Sequence, residues 1–284
     1  MRCLILIVGF LTAASPGFGQ TTGIVKGLPQ LYYESIGHGS QTIVVLHGGP
    51  GLAHDYLRPE WDRLAVSGRV IYYDQNGCGR SGRVPPYGWR SHVNDLDRLL
   101  RTLAPDKAVV LAGSSWGSLL ALAYTYYHPE RVEALILSGF PVGNRSSKAQ
   151  ASTSWVPPSK SRLDSVDLGL PVGPSKPRPP LEPRLQQRIK EDCADVGVII
   201  SMSLADAPWL RQLEKITVPA LVIHGSNPDQ EPGDGGPWLV RQLPNATLVT
   251  IQDAGHDPWL DQPNAFFRAA NAFVAKLPVF TTAP

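Results

Sequence analysis

The sequence predicts an α/β fold, a mostly parallel central sheet flanked by helices with a short insertion. Three observations carry that expectation. Apolar, partly β-branched runs recur along the 284-residue chain and stop at polar or glycine-rich loops. Helical three-and-four spacing falls between the runs. One run passes into a helix through Gly113-Ser114-Ser115-Trp116-Gly117. Strands alternating with helices in this way specify parallel pairing through right-handed crossovers.

Leu31 to Ile36 and Gln41 to Leu46 read as strands, the second apolar enough for the middle of a sheet covered on both faces. The loop His47-Gly48-Gly49-Pro50-Gly51 follows, and His54 opens a helix expected to run to about Ala65. Arg69 to Asp74 is the next strand, leading into the glycine-rich stretch Gln75 to Gly82. Val93, Leu96, Leu100 and Leu103 place one apolar stripe on a helix. Beyond the Ser115 turn, a helix from Ser118, a break at His128-Pro129 and a strand from Val132 to Leu137 complete the first half. Proline, serine and basic residues then dominate from Pro141 to about Leu204, where only Arg184 to Met202 looks helical. Such a segment cannot build its own large core and reads as a cap or lid. The sheet pattern resumes with Ala220 to His224 and Ala246 to Ile251. A helix with Phe266, Ala270, Phe273, Val274 and Leu277 on one face closes the chain.

Residues 1–20 have the layout of a secretory signal peptide: Arg2, an apolar run from Cys3 to Leu11, then small residues. The chain is therefore expected to be secreted or periplasmic, with cleavage between Ala14 and Thr21 and no stable membrane anchor. Residues 21–140 and 205–284 are two parts of one core, and 141–204 is the insertion. Lys plus Arg is 26 against 24 for Asp plus Glu, so nothing in the charge suggests nucleic acid. Export would place Cys78 and Cys193 where they could pair, but two distant cysteines do not make a disulfide framework; no Cys/His cluster has metal-ligand spacing, and no cofactor or metal is expected. Oligomeric state is not legible.

The chemistry concentrates at strand ends. A serine on a sharp strand-to-helix turn is pushed above the sheet edge, where the helix N-terminus favours developing negative charge. The glycines after Leu46 expose backbone N–H groups of the kind an oxyanion hole needs. Ser115, an acid near Asp229 and His256 follow in the order serine, acid, histidine, each after a predicted strand. Imidazole takes the serine proton while a carboxylate fixes its tautomer. Glu231 and Asp234 are reserves for the acid, and Gly48 and Glu231 are candidates for substrate contact.

These motifs resemble the α/β-hydrolase superfamily, in particular the proline iminopeptidases and tricorn-interacting aminopeptidases. The matching words are His47 to Gly51 with His54-Asp55-Tyr56-Leu57, Tyr73 to Ser81, Gly113 to Gly117, His128 to Val132, and Gly255-His256 with Trp259-Leu260 and Gln262-Pro263. The resemblance implies Ser115 as nucleophile, His256 as base and the N–H groups of Gly49 and Trp116 as oxyanion hole. Two departures stand out. The family's acid position, counted from Gly225, holds Pro228, so Asp229 comes one residue late, and the insertion is shorter and richer in proline than the family's helical cap. Glu191, Asp192 and Asp195 are candidates for the amine-binding acids that such a cap supplies. The expected activity is cleavage of a small amide or ester through an acyl-enzyme, on a small molecule or short peptide, with N-terminal proline release as the family's suggestion. An esterase or lactonase of the same fold, and a weakly active or non-catalytic binding protein, are the alternatives.

Overall fold

The computed structural model describes residues 19–140, 194–226 and 235–278. The strands are β1 (Gln20–Val25), β2 (Leu31–Ile36), β3 (Thr42–Leu46), β4 (Arg69–Tyr73), β5 (Val109–Ser114), β6 (Val132–Ser138), β7 (Ala220–Gly225) and β8 (Ala246–Ile251). They form one sheet in the order β1-β2-β4-β3-β5-β6-β7-β8. Pairing is antiparallel for β1 with β2 and β2 with β4, and parallel from β4 onward. The expected α/β architecture with a mostly parallel sheet is the one observed.

Alternation along the central strands feeds two cores. Val44 and Leu46 of β3, with Val109 and Leu111 of β5, face one side, where they meet helices α1 (Trp89–Leu103) and α2 (Trp116–Tyr127). Ile43, Val45, Val110 and Ala112 face the other side. There they pack with Trp61 and with Phe266, Phe267, Ala270 and Val274 of the C-terminal helix Pro263–Val274. Strands buried on both faces must be apolar at every position, which is why β3 reads as an unbroken run.

The structure departs from the sequence reading in several places. The single helix expected from His54 is replaced by two 3₁₀ turns, His54–Leu57 and Glu60–Val66. Pro59 separates them: it lacks an N–H, and it holds Arg58 extended at φ −98°, ψ 149°. β1 was not anticipated, because Gln20-Thr21-Thr22-Gly23 is polar and largely exposed, and only its register against β2 makes it a strand. The short helix Gly235–Gln242 was likewise unforeseen. Phe267, rather than Phe273, is fully buried on the C-terminal helix.

Residues 1–18, residues 141–193 of the insertion, residues 227–234 and residues 279–284 lie outside the described residues. Of the insertion, helix α3 (Ala194–Ser203) is described, continuing the chain into the core at a 3₁₀ turn, Leu204–Asp206. The remaining helices are α4 (Gly235–Gln242), α5 (Pro258–Asp261) and α6 (Pro263–Val274). Among the described residues no helix is long and apolar enough to cross a membrane.

Candidate active site

β5 ends at Ser114 and α2 begins at Trp116, so Ser115 alone makes the turn between them. Its backbone lies at φ 54°, ψ −118°, in the left-handed half of φ where a non-glycine residue is strained. The surrounding structure holds it there. Ser115 N–H donates to the Ser138 carbonyl at 2.9 Å, tying the turn to β6. The Ser118 hydroxyl lies 2.9 Å from the carbonyls of both Gly113 and Ser138 and accepts the Ser138 N–H at 3.2 Å. A side chain at Gly117 would overlap the Leu46 carbonyl of β3, so the helix can leave the sheet at this angle only with glycine there. The Ser115 side chain is half-buried at the carboxyl edge of the sheet.

The neighbouring strand β3 ends in the loop that carries Gly48 and Gly49. Gly49 sits at φ 116°. Gly48 N–H donates to the Tyr56 hydroxyl at 2.8 Å, which directs that amide to Tyr56. His47 is fully buried, and burial holds it down at about 4. Trp116, the first residue of α2, has a backbone N–H among those at a helix start that find no partner within the helix. Gly49 and Trp116 therefore come from adjacent strand ends, β3 pairing with β5 through Leu46 and Gly113.

His256 lies on the loop after β8. A Cβ on Gly139, the residue after β6, would stand 3.3 Å from both Cε1 and Nε2 of its ring. Gly139 is next in chain to Ser138, whose carbonyl takes the Ser115 N–H, so the imidazole and the serine backbone both lie at the end of β6. His256 is exposed, and its loop is held by Gly255 N–H donating to Asp261 Oδ2 at 2.8 Å. β7 ends at Gly225, packed against the carbonyls of Ala254 and Gly255. The end of β7 therefore lies beside the two residues that precede His256, while Asp229, Glu231 and Asp234 lie outside the described residues, as do Cys193, Glu191 and Asp192. Cys78 is buried.

Helix α3 covers the first loop. A Cβ on Gly197 would be 2.8 Å from the Pro50 carbonyl, and Val196 and Ile200 are buried. Ser203 Oγ accepts the Trp89 N–H at 3.0 Å and fastens the helix to the start of α1. Val198, Ile199 and Met202 are exposed.

Sequence reasoning passed over a buried ionic cluster at the far end of that loop. His54 Nδ1 donates to Asp74 Oδ1 at 2.7 Å, and the His54 N–H meets the same oxygen at 3.0 Å. Arg80 N–H donates to Asp74 Oδ2 at 2.7 Å. Glu34 Oε1 lies 3.7 Å from His54 Nε2, Arg58 pairs with Glu34, and Arg80 pairs with Asp55 at 3.0 Å. Burial alone would lower the His54 pKa, but the Asp74 and Glu34 carboxylates outweigh it and hold the imidazolium up at about 9. Burial would likewise raise Asp74; the His54 contact and the Arg80 N–H keep it at about 2. Glu34 is held at about 2, first by His54. Glu34, His54 and Asp55 offer ligand atoms within 4.8 Å of one another, the one such group among the described residues. The proton on His54 and the two guanidinium groups already supply the positive charge there.

The linkage gives this cluster a pH signature. A pKa raised from 6.5 to about 9 stabilises the fold fully below about pH 6.5, and that contribution fades as pH rises towards 9. The depressed carboxylates contribute above their ordinary values, and their share fades as pH falls towards 2. His54→Gln leaves Asp74 buried without its cation, at a cost of about 3 kcal/mol and about 5–10 °C in Tm at pH 6. Calorimetry from pH 6 to 9 should show a falling Tm for the wild type and a flatter one for His54→Gln; equal slopes would remove His54 as the titrating group.

The profile of the alpha/beta hydrolase family matches residues 43–270. The chain belongs to that family. Among curated relatives of this hydrolase, a probable proline iminopeptidase from Leptolyngbya boryana is 28% identical over 82% of this chain and 86% of its own length. A proline iminopeptidase from Lactobacillus helveticus is 41% identical over 38% of this chain, a match spanning 40% of that relative. Among solved structures, an esterase from Exiguobacterium antarcticum superimposes with a TM-score of 0.70 at 25% identity, covering 87% of this hydrolase and 96% of the esterase. An enol-lactonase from Burkholderia xenovorans shares the fold with a TM-score of 0.68 at 21% identity, over 90% of this chain and 100% of that one.

Proposed function

We propose that this hydrolase is a secreted or periplasmic serine hydrolase of the proline iminopeptidase type, releasing an N-terminal proline or cleaving a related small amide through an acyl-enzyme. The observation that carries the reading is the strained Ser115 on its elbow, with the His256 ring against Gly139 beside the carbonyl that anchors the serine. Ser115 Oγ attacks the substrate carbonyl carbon while its proton passes to His256. The Gly49 and Trp116 N–H groups hold the resulting oxyanion. Collapse expels the leaving group, which takes the proton from His256 and leaves an acyl-serine. Water, deprotonated by the same imidazole, then releases the acid. Asp229 orients the imidazole, and Glu231 serves the substrate. The apolar leader routes the chain out of the cytoplasm.

A second reading, an esterase or lactonase, draws on the displaced acid and on the Exiguobacterium antarcticum esterase. If Asp229 serves the triad from the position where related aminopeptidases grip a free α-amine, amine binding is weakened and neutral esters become the better substrates. The purified mature chain should be assayed on proline p-nitroanilide, p-nitrophenyl acetate and a homoserine lactone, alongside labelling by a fluorophosphonate probe. Preference for the anilide supports the aminopeptidase, and preference for the ester or lactone supports the second reading. No turnover and no labelling would leave a non-catalytic hydrolase fold.

A further inference from the structure

The proposed oxyanion donors belong to different strand ends, and one buried side chain ties those ends together. Gln75 follows Asp74 at the end of β4 and is 1% exposed. Its backbone N–H donates to His47 Nε2 at 3.0 Å, and its side-chain Nε2 donates to the His47 carbonyl at 2.9 Å. Its Oε1 accepts the Trp116 indole N–H at 2.7 Å. The sheet order β4-β3-β5 means that Gln75 reaches across the end of β3 to the helix that follows β5. We propose that Gln75 is a positioning residue for the oxyanion hole, clamping the His47 end of the Gly48-Gly49 loop to Trp116 and so setting the separation of the Gly49 and Trp116 N–H groups. The inference rests on the serine-hydrolase reading above.

Each partner is itself immobilised. The Gln75 N–H makes His47 Nε2 the acceptor, so the ring hydrogen sits on Nδ1 and faces the Gly48 carbonyl at 3.0 Å. Burial keeps His47 neutral, preserving that acceptor. The indole of Trp116 is 1% exposed and meets the buried His92 ring edge-on at 5.9 Å between centroids. Asp74, just before Gln75, is fixed by His54 and by the Arg80 N–H. The clamp therefore joins two rigid bodies. It needs a side chain that donates on one side and accepts on the other, as an amide does and a carboxylate does not.

That requirement supplies the test. Gln75→Glu is isosteric; its carboxylate lacks the donor for the His47 carbonyl, while its protonated form again offers one donor and one acceptor. Burial raises the pKa of the introduced acid. With p-nitrophenyl acetate, the ratio of kcat for Gln75→Glu to that of the wild type should climb as pH is lowered from about 9 to about 6. The ratio cancels the pH dependence of turnover common to both. Gln75→Leu should lose about 10- to 100-fold in kcat, with KM within about twofold, and should bind a boronic acid mimic of the tetrahedral intermediate more weakly by a similar factor. Gln75→Glu keeps the test open if Gln75→Leu fails to fold. An active wild type beside a pH-independent ratio, or beside a Gln75→Leu of unchanged kcat, overturns the clamp and spares the hydrolase; an inert wild type overturns both.

Discussion

Ser115→Ala is expected to lower kcat for p-nitrophenyl acetate by about a million-fold and to abolish covalent labelling by a fluorophosphonate. Removing the nucleophile of a serine triad costs about that much, because what remains is binding and oxyanion stabilisation acting on water attack. The substitution is mild for the fold. The Ser115 anchor to β6 is its backbone N–H, and the hydroxyl that bonds the elbow internally belongs to Ser118, so both survive. The lost rate therefore reports chemistry rather than unfolding, and thermal unfolding within about 1 kcal/mol of the wild type would confirm the separation. Intact-mass measurement after probe treatment gives an independent reading: one adduct on the wild type, none on the variant. A variant retaining more than a tenth of the wild-type rate would remove Ser115 from the reaction.

Asp229→Asn is expected to cost about ten-thousand-fold in kcat, the usual effect of presenting the wrong tautomer of the base to the nucleophile. The sequence expects the carboxylate in a turn after β7, and Gly225 at the end of that strand packs against the carbonyls of Ala254 and Gly255, the two residues just before His256. That turn contains Asp229, Glu231 and Asp234, and the spacing leaves Asp229 one residue late. Parallel measurement of Glu231→Gln and Asp234→Asn makes the result specific. Only the acid that orients the imidazole should show the full loss, whereas a carboxylate at the substrate changes KM first. A near-normal rate for Asp229→Asn together with a collapse in one of the others would transfer the role.

Most of the sheet was legible because its strands are buried on both faces. β3, β5, β6 and β7 read as apolar runs, and the glycines at their ends marked the edge where the candidate site lies. The elbow was legible for the same local reason, since strand, serine, glycine and helix are contiguous. Failures came where a neighbour, not the local segment, decides the state. β1 is polar and becomes a strand only by pairing with β2. The stretch from His54 has helical composition, yet Pro59 divides it into two 3₁₀ turns. Gln75 and Tyr56 stood inside recognised motif words, but nothing in their spacing names a bonding partner. A polar residue straight after an apolar strand was the one available hint for Gln75.

The sequence by itself determined which strand ends carry Ser115, the glycine loop and His256, because those signals are written in contiguous residues through periodicity and backbone freedom. Only the tertiary structure decided which side chains hold those ends together: Gln75 between His47 and Trp116, Tyr56 on the Gly48 amide, and His54 between Asp74 and Glu34. The physical reason is that a buried polar group must find a partner, and that partner is set by strand order and register, which bring together residues 8 to 41 positions apart.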